Sequence, residues 1–106
     1  MTTPIDIDPV RSYHGVYARL VDLCERQAEL SDESHLCVME AFNEAADIEL
    51  GPPAGLPNIY YGPVEEIMHQ VRHRLTDLIL RSTELETALA FIRVDTCIEA
   101  AIENQR

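Results

Sequence analysis

Apolar residues recur at every third or fourth position along most of the chain, which is the periodicity of amphipathic α-helices. Residues that favour helix N-termini, such as Asp8-Pro9 and Ser31, stand just before the periodic segments. The pattern predicts four helices, at about residues 9–30, 33–50, 63–81 and 84–104. Residues 1–7 are predicted to form a flexible tail, and residues 51–62, rich in Gly and Pro, an ordered loop.

The stretch from Pro63 to Asn104 contains an apolar seam that runs from Val64 to Ile92 at alternating spacings of three and four. Thr83 and Glu86 have the spacing of a capping box, which predicts that a new helix starts near residue 84. The seam nevertheless crosses this point without a change of phase, which favours one unbroken helix of roughly 60 Å. Both alternatives remain open at the level of the sequence.

The last helix carries a second apolar stripe on the side opposite the seam. Its members are Phe91, Val94, Ile98, Ala101 and Ile102. A helix that is apolar nearly all round is covered nearly all round in the folded protein. In so short a chain we expect a second copy to supply the cover, so these five residues are predicted to form a homodimer interface. The alternative is that this is the central helix of a monomeric bundle.

The predicted fold is therefore all-α: a single domain over residues 1–106, built as a small bundle of three to four helices and completed by dimerisation. Its last helix is expected to be long or kinked. The favoured function is that of a small acidic protein acting through protein–protein contacts, as an adaptor, a regulator or an accessory subunit.

Composition narrows the range of partners. Nineteen acidic residues against eight basic ones give a net charge of −11, which argues against nucleic acid and anionic membranes as partners. All eight basic residues are Arg, and the absence of Lys excludes lysine Schiff-base chemistry. No apolar run approaches the ~20 residues that span a bilayer, and the N-terminus lacks a signal-peptide pattern. We expect a cytoplasmic protein.

The three cysteines do not indicate a disulfide framework or a zinc site. Cys24, Cys37 and Cys97 are odd in number, widely spaced and embedded in helical patterns. Each is predicted to be a small buried apolar residue.

A weak metal-site pattern lies at the start of the third predicted helix. Glu66, His69 and His73 combine a Glu-x-x-His unit with two histidines one turn apart, which is a chelating arrangement. These side chains project away from the apolar seam, so we expect them to face solvent. The prediction is that the protein has no metal and no cofactor.

Acidic residues on the second and third helices allow an enzymatic alternative. Nucleotide pyrophosphohydrolases of the MazG type hold magnesium with Glu-x-x-Glu on one helix and Glu-x-x-Asp on the next. Glu40-x-x-Asn43 and Glu66-x-x-His69 are loosely similar to that arrangement, although each pair lacks one acid. The resemblance implies a degenerate, metal-dependent nucleotide hydrolase.

A second enzymatic alternative is a pocket between helices, beneath the predicted loop. Its candidate catalytic residues are His14, His35, Glu40, Glu44 and Glu66, with histidine or a carboxylate as the acid or base. Its candidate ligand-binding residues are Tyr13, Tyr17, Tyr60 and Tyr61. Whether the protein is an enzyme is left open by the sequence.

Overall fold

Four α-helices make up most of the chain in the computed structural model, which describes residues 9–48 and 62–105. They are α1 (Pro9–Glu25), α2 (Asp32–Ala46), α3 (Val64–Arg81) and α4 (Leu85–Gln105), with a 3₁₀ turn at Gln27–Glu29 between α1 and α2. The all-α prediction is confirmed for this part of the chain. The predicted tail and nearly all of the predicted loop, including Tyr60 and Tyr61, lie outside the described residues. None of the helices described is long and apolar enough to cross a membrane.

The turn between α1 and α2 shortens the first predicted helix. Helix α1 ends at Glu25, the 3₁₀ turn follows at Gln27–Glu29, and Leu30 has an extended backbone. Ser31 then caps α2 as its sequence position predicts, because its hydroxyl accepts a hydrogen bond of 3.1 Å from the backbone N–H of Ser34.

The long C-terminal stretch is two helices, so the unbroken helix is not what the chain forms. At the end of α3, the Ser82 hydroxyl donates to the carbonyl oxygen of Leu78 at 2.9 Å. The first backbone hydrogen bond of α4 runs from Ala88 N–H to the carbonyl oxygen of Glu84, at 3.1 Å. Glu84 therefore occupies the N-cap position, one residue after the predicted Thr83.

The helices form a bundle in which α1 packs against α2 and α3, and α4 packs against the same two helices. Tyr13, near the start of α1, donates a hydrogen bond to the carbonyl oxygen of Ala45, near the end of α2, so these two helices are antiparallel. At the other end of α1, the Arg26 guanidinium donates to the carbonyl oxygen of Gly62 at 2.6 Å, which places the start of α3 there. Hence α2 and α3 run parallel to each other, diagonally across the bundle.

Helix α4 closes the bundle by running antiparallel to both of its neighbours. Near its start it contacts the end of α2, where the Arg93 guanidinium donates to Glu44 at 3.1 Å. Near its end it contacts the start of α2, where Ser31 donates to the carbonyl oxygen of Asn104 at 2.9 Å. The described residues have a radius of gyration of 13.2 Å, which is the size expected for a domain of about 100 residues.

One buried core runs the length of the bundle. The largest fully buried side chains are Tyr13, Val16, Leu20, Leu23, Val38, Ile67, Met68, Val71, Leu75, Leu78, Val94 and Ile98. The three-four periodicity of α1 and of α3 predicts the buried faces of these two helices. In α3 the buried residues from Val64 to Leu78 are the first half of the predicted seam.

In α2 the sequence pattern predicts a core stripe of His35, Val38, Met39, Phe42, Ala45 and Ala46, and the structure follows it in part. Val38 and Ala45 are buried as predicted, whereas Ala46 is exposed and the other buried residues are Ser34 and Ala41. Met39 is 44% exposed. Small side chains line the buried face, which allows the backbone of α2 to lie close to α4.

The five residues predicted to form a dimer interface lie in the core of the single chain. Phe91, Val94, Ile98, Ala101 and Ile102 are all buried there, as the alternative of a central bundle helix predicts. The residues of α4 that continue the predicted seam are exposed instead. Leu85 is 75% exposed, Leu89 43% and Ile92 42%. The chain breaks at residues 82–84, so the orientation of α4 about its own axis is not fixed by that of α3. The seam therefore faces the core in α3, whereas its continuation in α4 faces solvent.

Candidate functional site

The two histidines proposed as acid or base lie at separate places on the bundle. His35 is half-buried, and its Nε2 is 3.3 Å from the carbonyl oxygen of Cys24, to which it donates a hydrogen bond. His14 is also half-buried, beside the ring of Tyr13 at 6.2 Å. Ten residues of α1 separate His14 from Cys24, which corresponds to about 15 Å along the helix. The structure does not bring the two histidines into one site.

The candidate acids are also apart. Glu40 accepts a hydrogen bond of 3.5 Å from the thiol of Cys97, and Glu44 pairs with Arg93, so both candidate acids of α2 face α4. Glu66 is exposed near the start of α3, on the helix diagonally opposite. The two carboxylate pairs expected from the resemblance to MazG-type enzymes are therefore not assembled.

The metal-site pattern of Glu66, His69 and His73 is on the surface. All three residues are exposed on α3, as their position relative to the apolar seam predicts. Within residues 9–48 and 62–105, no group of three or more His, Cys, Asp or Glu residues is placed so that it could hold a metal ion.

The two described tyrosines are core residues. Tyr13 is 1% exposed, and burial, with a smaller contribution from Tyr17, raises the pKa of its phenol to about 12. Its ring centroid is 6.1 Å from that of Phe91. The ring of Tyr17 lies 5.2 Å from that of Phe42. These aromatic contacts connect α1 with α2 and α4, and they place neither tyrosine in an open pocket.

An open groove lies at the turn between α3 and α4, with a volume of about 240 Å³. Its lining consists of Leu78, Arg81, Ser82, Thr83, Glu84, Thr87 and Phe91. None of the residues proposed from the sequence as catalytic or ligand-binding belongs to this lining.

The feature that the site predictions missed is the outer α4 face, which we define as Leu85, Leu89 and Ile92. These side chains follow one another at spacings of four and three, so they form one stripe on the helix. Leu80, at the same end of the bundle near the end of α3, is 79% exposed. The periodicity that marks this stripe is visible in the sequence, but there it is interpreted as part of the core.

Acidic residues on α4 accompany the outer α4 face. Glu86, Glu99 and Glu103 are exposed on α4; Glu86 lies within the range of the apolar stripe along the chain, and the other two follow it. Two arginines of α3 are paired within the chain: Arg72 pairs with Asp95 at 3.0 Å and is also near Glu99, and Arg81 pairs with Asp77 at 3.2 Å.

The third arginine near the outer α4 face, Arg93, pairs with Glu44 at 3.1 Å. In the part of the chain that is described, neither Glu86 nor Glu103 takes part in an ion pair. The surface around the stripe is therefore negatively charged.

Comparison with known proteins adds no second source of information about this surface. No protein-family model, no curated protein and no solved structure matches the chain.

Proposed function

We propose that the protein acts through protein–protein contacts, as an adaptor, a regulator or an accessory subunit, and that the outer α4 face is its contact surface. One observation carries this proposal. Helix α4 is apolar on two sides, its inner stripe fills the core, and its outer stripe is left to solvent.

The physical argument is the cost of leaving this stripe in water. A single exposed Leu is normal on a protein surface, but apolar residues on consecutive turns of one helix form a continuous patch. Burying one such side chain fully contributes about 1.5–3 kcal/mol. Leu85 is 75% exposed, whereas Leu89 and Ile92 are 43% and 42% exposed, so covering either of the latter two gains roughly half of that amount. Together the three side chains supply part of the free energy of a contact, before the cost of association is subtracted.

Homodimerisation is one form that such a contact can take, and it remains a proposal with a different interface. A second copy would use the outer α4 face in place of the five core residues assigned from the sequence. A cytoplasmic location is likewise a proposal, supported by the composition.

The enzymatic alternative has no observation in its favour among the described residues. His14, His35, Glu44 and Glu66 lie on different parts of the described structure, and none of them lines the groove at the turn between α3 and α4.

Site-specific photo-crosslinking in cells of the source organism tests the proposal. A photoreactive amino acid replaces Leu89 in one variant, and His69, exposed on α3, in a control variant. We expect a discrete protein adduct with the first variant and none of the same mass with the second. Identical adduct patterns, or no adduct at Leu89, would contradict a contact surface on α4.

A further inference from the structure

The shape of the outer α4 face limits what can cover it. The apolar side chains form a single straight stripe along a helix, at spacings of four and three. A partner helix with its own apolar stripe meets such a surface along its whole length, by the packing that antiparallel bundles and helix-in-groove complexes use. The exposed stripe is the surface that a fifth helix of the bundle would cover.

The charge of the surface limits the chemistry of that helix. Glu86 precedes the centre of the stripe, and Glu99 and Glu103 follow it on α4. The nearby positive charges of Arg72, Arg81 and Arg93 are already opposed by carboxylates within the chain. A covering helix is therefore favoured if it carries Lys or Arg beside its apolar residues.

The same charges argue against a second copy as the occupant. A copy of this chain has a net charge of −11 and no Lys. Pairing two outer α4 faces would bring the exposed Glu99 and Glu103 of each copy towards a surface of the same sign. Like charges that face each other across an interface lower affinity and select against that partner.

From this apolar stripe with its acidic surroundings, we infer that the outer α4 face binds a basic amphipathic helix of another protein. The inference rests on the proposed function and specifies the partner: its apolar residues cover Leu85, Leu89 and Ile92, and its cationic residues lie against the acids of α4. The apolar contact supplies affinity, and the charges select the partner and speed its association.

The test uses the full chain and two fluorescein-labelled synthetic peptides of about 18 residues, which is enough to span the stripe and its flanking acids. Both peptides have the same Leu positions. One carries Lys at the flanking positions and the other carries Glu at the same positions. Fluorescence anisotropy measures binding at low and at high salt. We expect the Lys peptide to bind roughly tenfold or more tightly than the Glu peptide at low salt, and this difference to shrink as salt screens the charges.

Matched variants locate the binding surface. Leu89→Gln and Leu85→Gln should each weaken binding of the Lys peptide about tenfold, whereas Leu36→Gln, at a Leu that is 65% exposed on α2, should change it less than about twofold. Glu99→Gln should weaken binding about threefold and reduce its salt dependence, while Glu25→Gln, at an exposed acid of α1, should leave both unchanged. Circular dichroism of each variant confirms that the fold is retained.

The outcomes separate the inference from the proposed function. Equal binding of the Lys and Glu peptides, or equal loss in the Leu89 and Leu36 variants, overturns the inference. A homodimer in light scattering that Leu89→Gln converts to a monomer, and that the Lys peptide does not displace, assigns the face to a second copy. That result also overturns the inference, but it leaves a function through protein contacts standing. If neither peptide binds and the protein does not self-associate, both the inference and the proposed function are contradicted.

Discussion

Ser34 in α2 donates its hydroxyl hydrogen to the backbone carbonyl oxygen of Ala101 in α4, across 2.8 Å in the core. Both residues are fully buried, and Ser34 is the buried polar residue of the described chain. The bond satisfies the hydroxyl and requires the two helices to lie close together at this point. It also explains why α2 turns a face containing Ser34 towards the core, when a purely apolar pattern favours its neighbours.

Replacing this serine tests how much the contact stabilises the fold. Ser34→Ala should lower the free energy of unfolding by about 1 kcal/mol, since it removes one buried hydrogen bond and leaves little space. Ser34→Leu should cost more, about 1–3 kcal/mol, because the larger side chain does not fit between α2 and α4. Urea unfolding followed by circular dichroism measures both. A Ser34→Leu variant as stable as Ser34→Ala would show that the two helices are not in close contact here.

Burial of Tyr13 predicts a loss of stability in alkali. Its pKa is raised to about 12 in the folded protein, from an ordinary value of 10.0. The unfolded chain therefore loses the phenol proton at lower pH than the folded chain. This stabilisation of the folded protein is fully present below pH ~10 and is lost as pH rises from ~10 to ~12, by up to about 3 kcal/mol.

Thermal unfolding of the natural protein and of Tyr13→Phe across this pH range measures the effect. Phe has no proton to lose, so the difference in stability between the two proteins should change with pH above ~10. If the two stability curves remain parallel from pH 9 to 12, the phenol of Tyr13 is not buried as the structure has it.

Cys97 should react slowly with thiol reagents. Burial, followed by its hydrogen bond to Glu40 and the nearby negative charges, raises the pKa of its thiol to about 11. Since the thiolate is the reactive form, a rise of about two units lowers the reactive fraction near pH 8 roughly a hundredfold.

Iodoacetamide labelling of a Cys24→Ala/Cys37→Ala background, followed by mass spectrometry, measures the reactivity of Cys97 alone. Labelling in the native protein should be much slower than in urea, and Glu40→Gln should speed it by removing a negative charge. Equal rates in the native and unfolded proteins would contradict this environment for the thiol.

Much of the fold follows from local sequence signals, because those signals act within one helix. The buried faces of α1 and α3 come from their own periodicity, and the cap at Ser31 comes from its own side chain. The break near Thr83 is also marked locally, although periodicity alone favours continuity. The pattern within one helix does not tell which of its sides packs on the core after the chain has turned. In α4 two sides are apolar, and only the tertiary structure decides between them.

The candidate site was harder to predict for a related reason. Glu40 and Glu66 look like partners if helices that follow each other in sequence are neighbours in space. In the structure α2 and α3 lie diagonally, because Ile48 and Gly62 are at opposite ends of the bundle. The apolar stripe at Leu89 is visible in the sequence, but whether it faces the core or solvent depends on that topology.

The central claim is that the inner and outer stripes of α4 have opposite roles, and two matched glutamate substitutions test it most directly. Ile98→Glu buries an unpaired charge and should unfold the protein, at a cost of about 4 kcal/mol or more. Leu89→Glu should stay within about 1 kcal/mol of the natural stability, because its side chain already faces water. Thermal unfolding by circular dichroism, with light scattering for subunit number, reads out both. A folded Ile98→Glu monomer beside an unfolded Leu89→Glu chain would show that the two stripes are reversed.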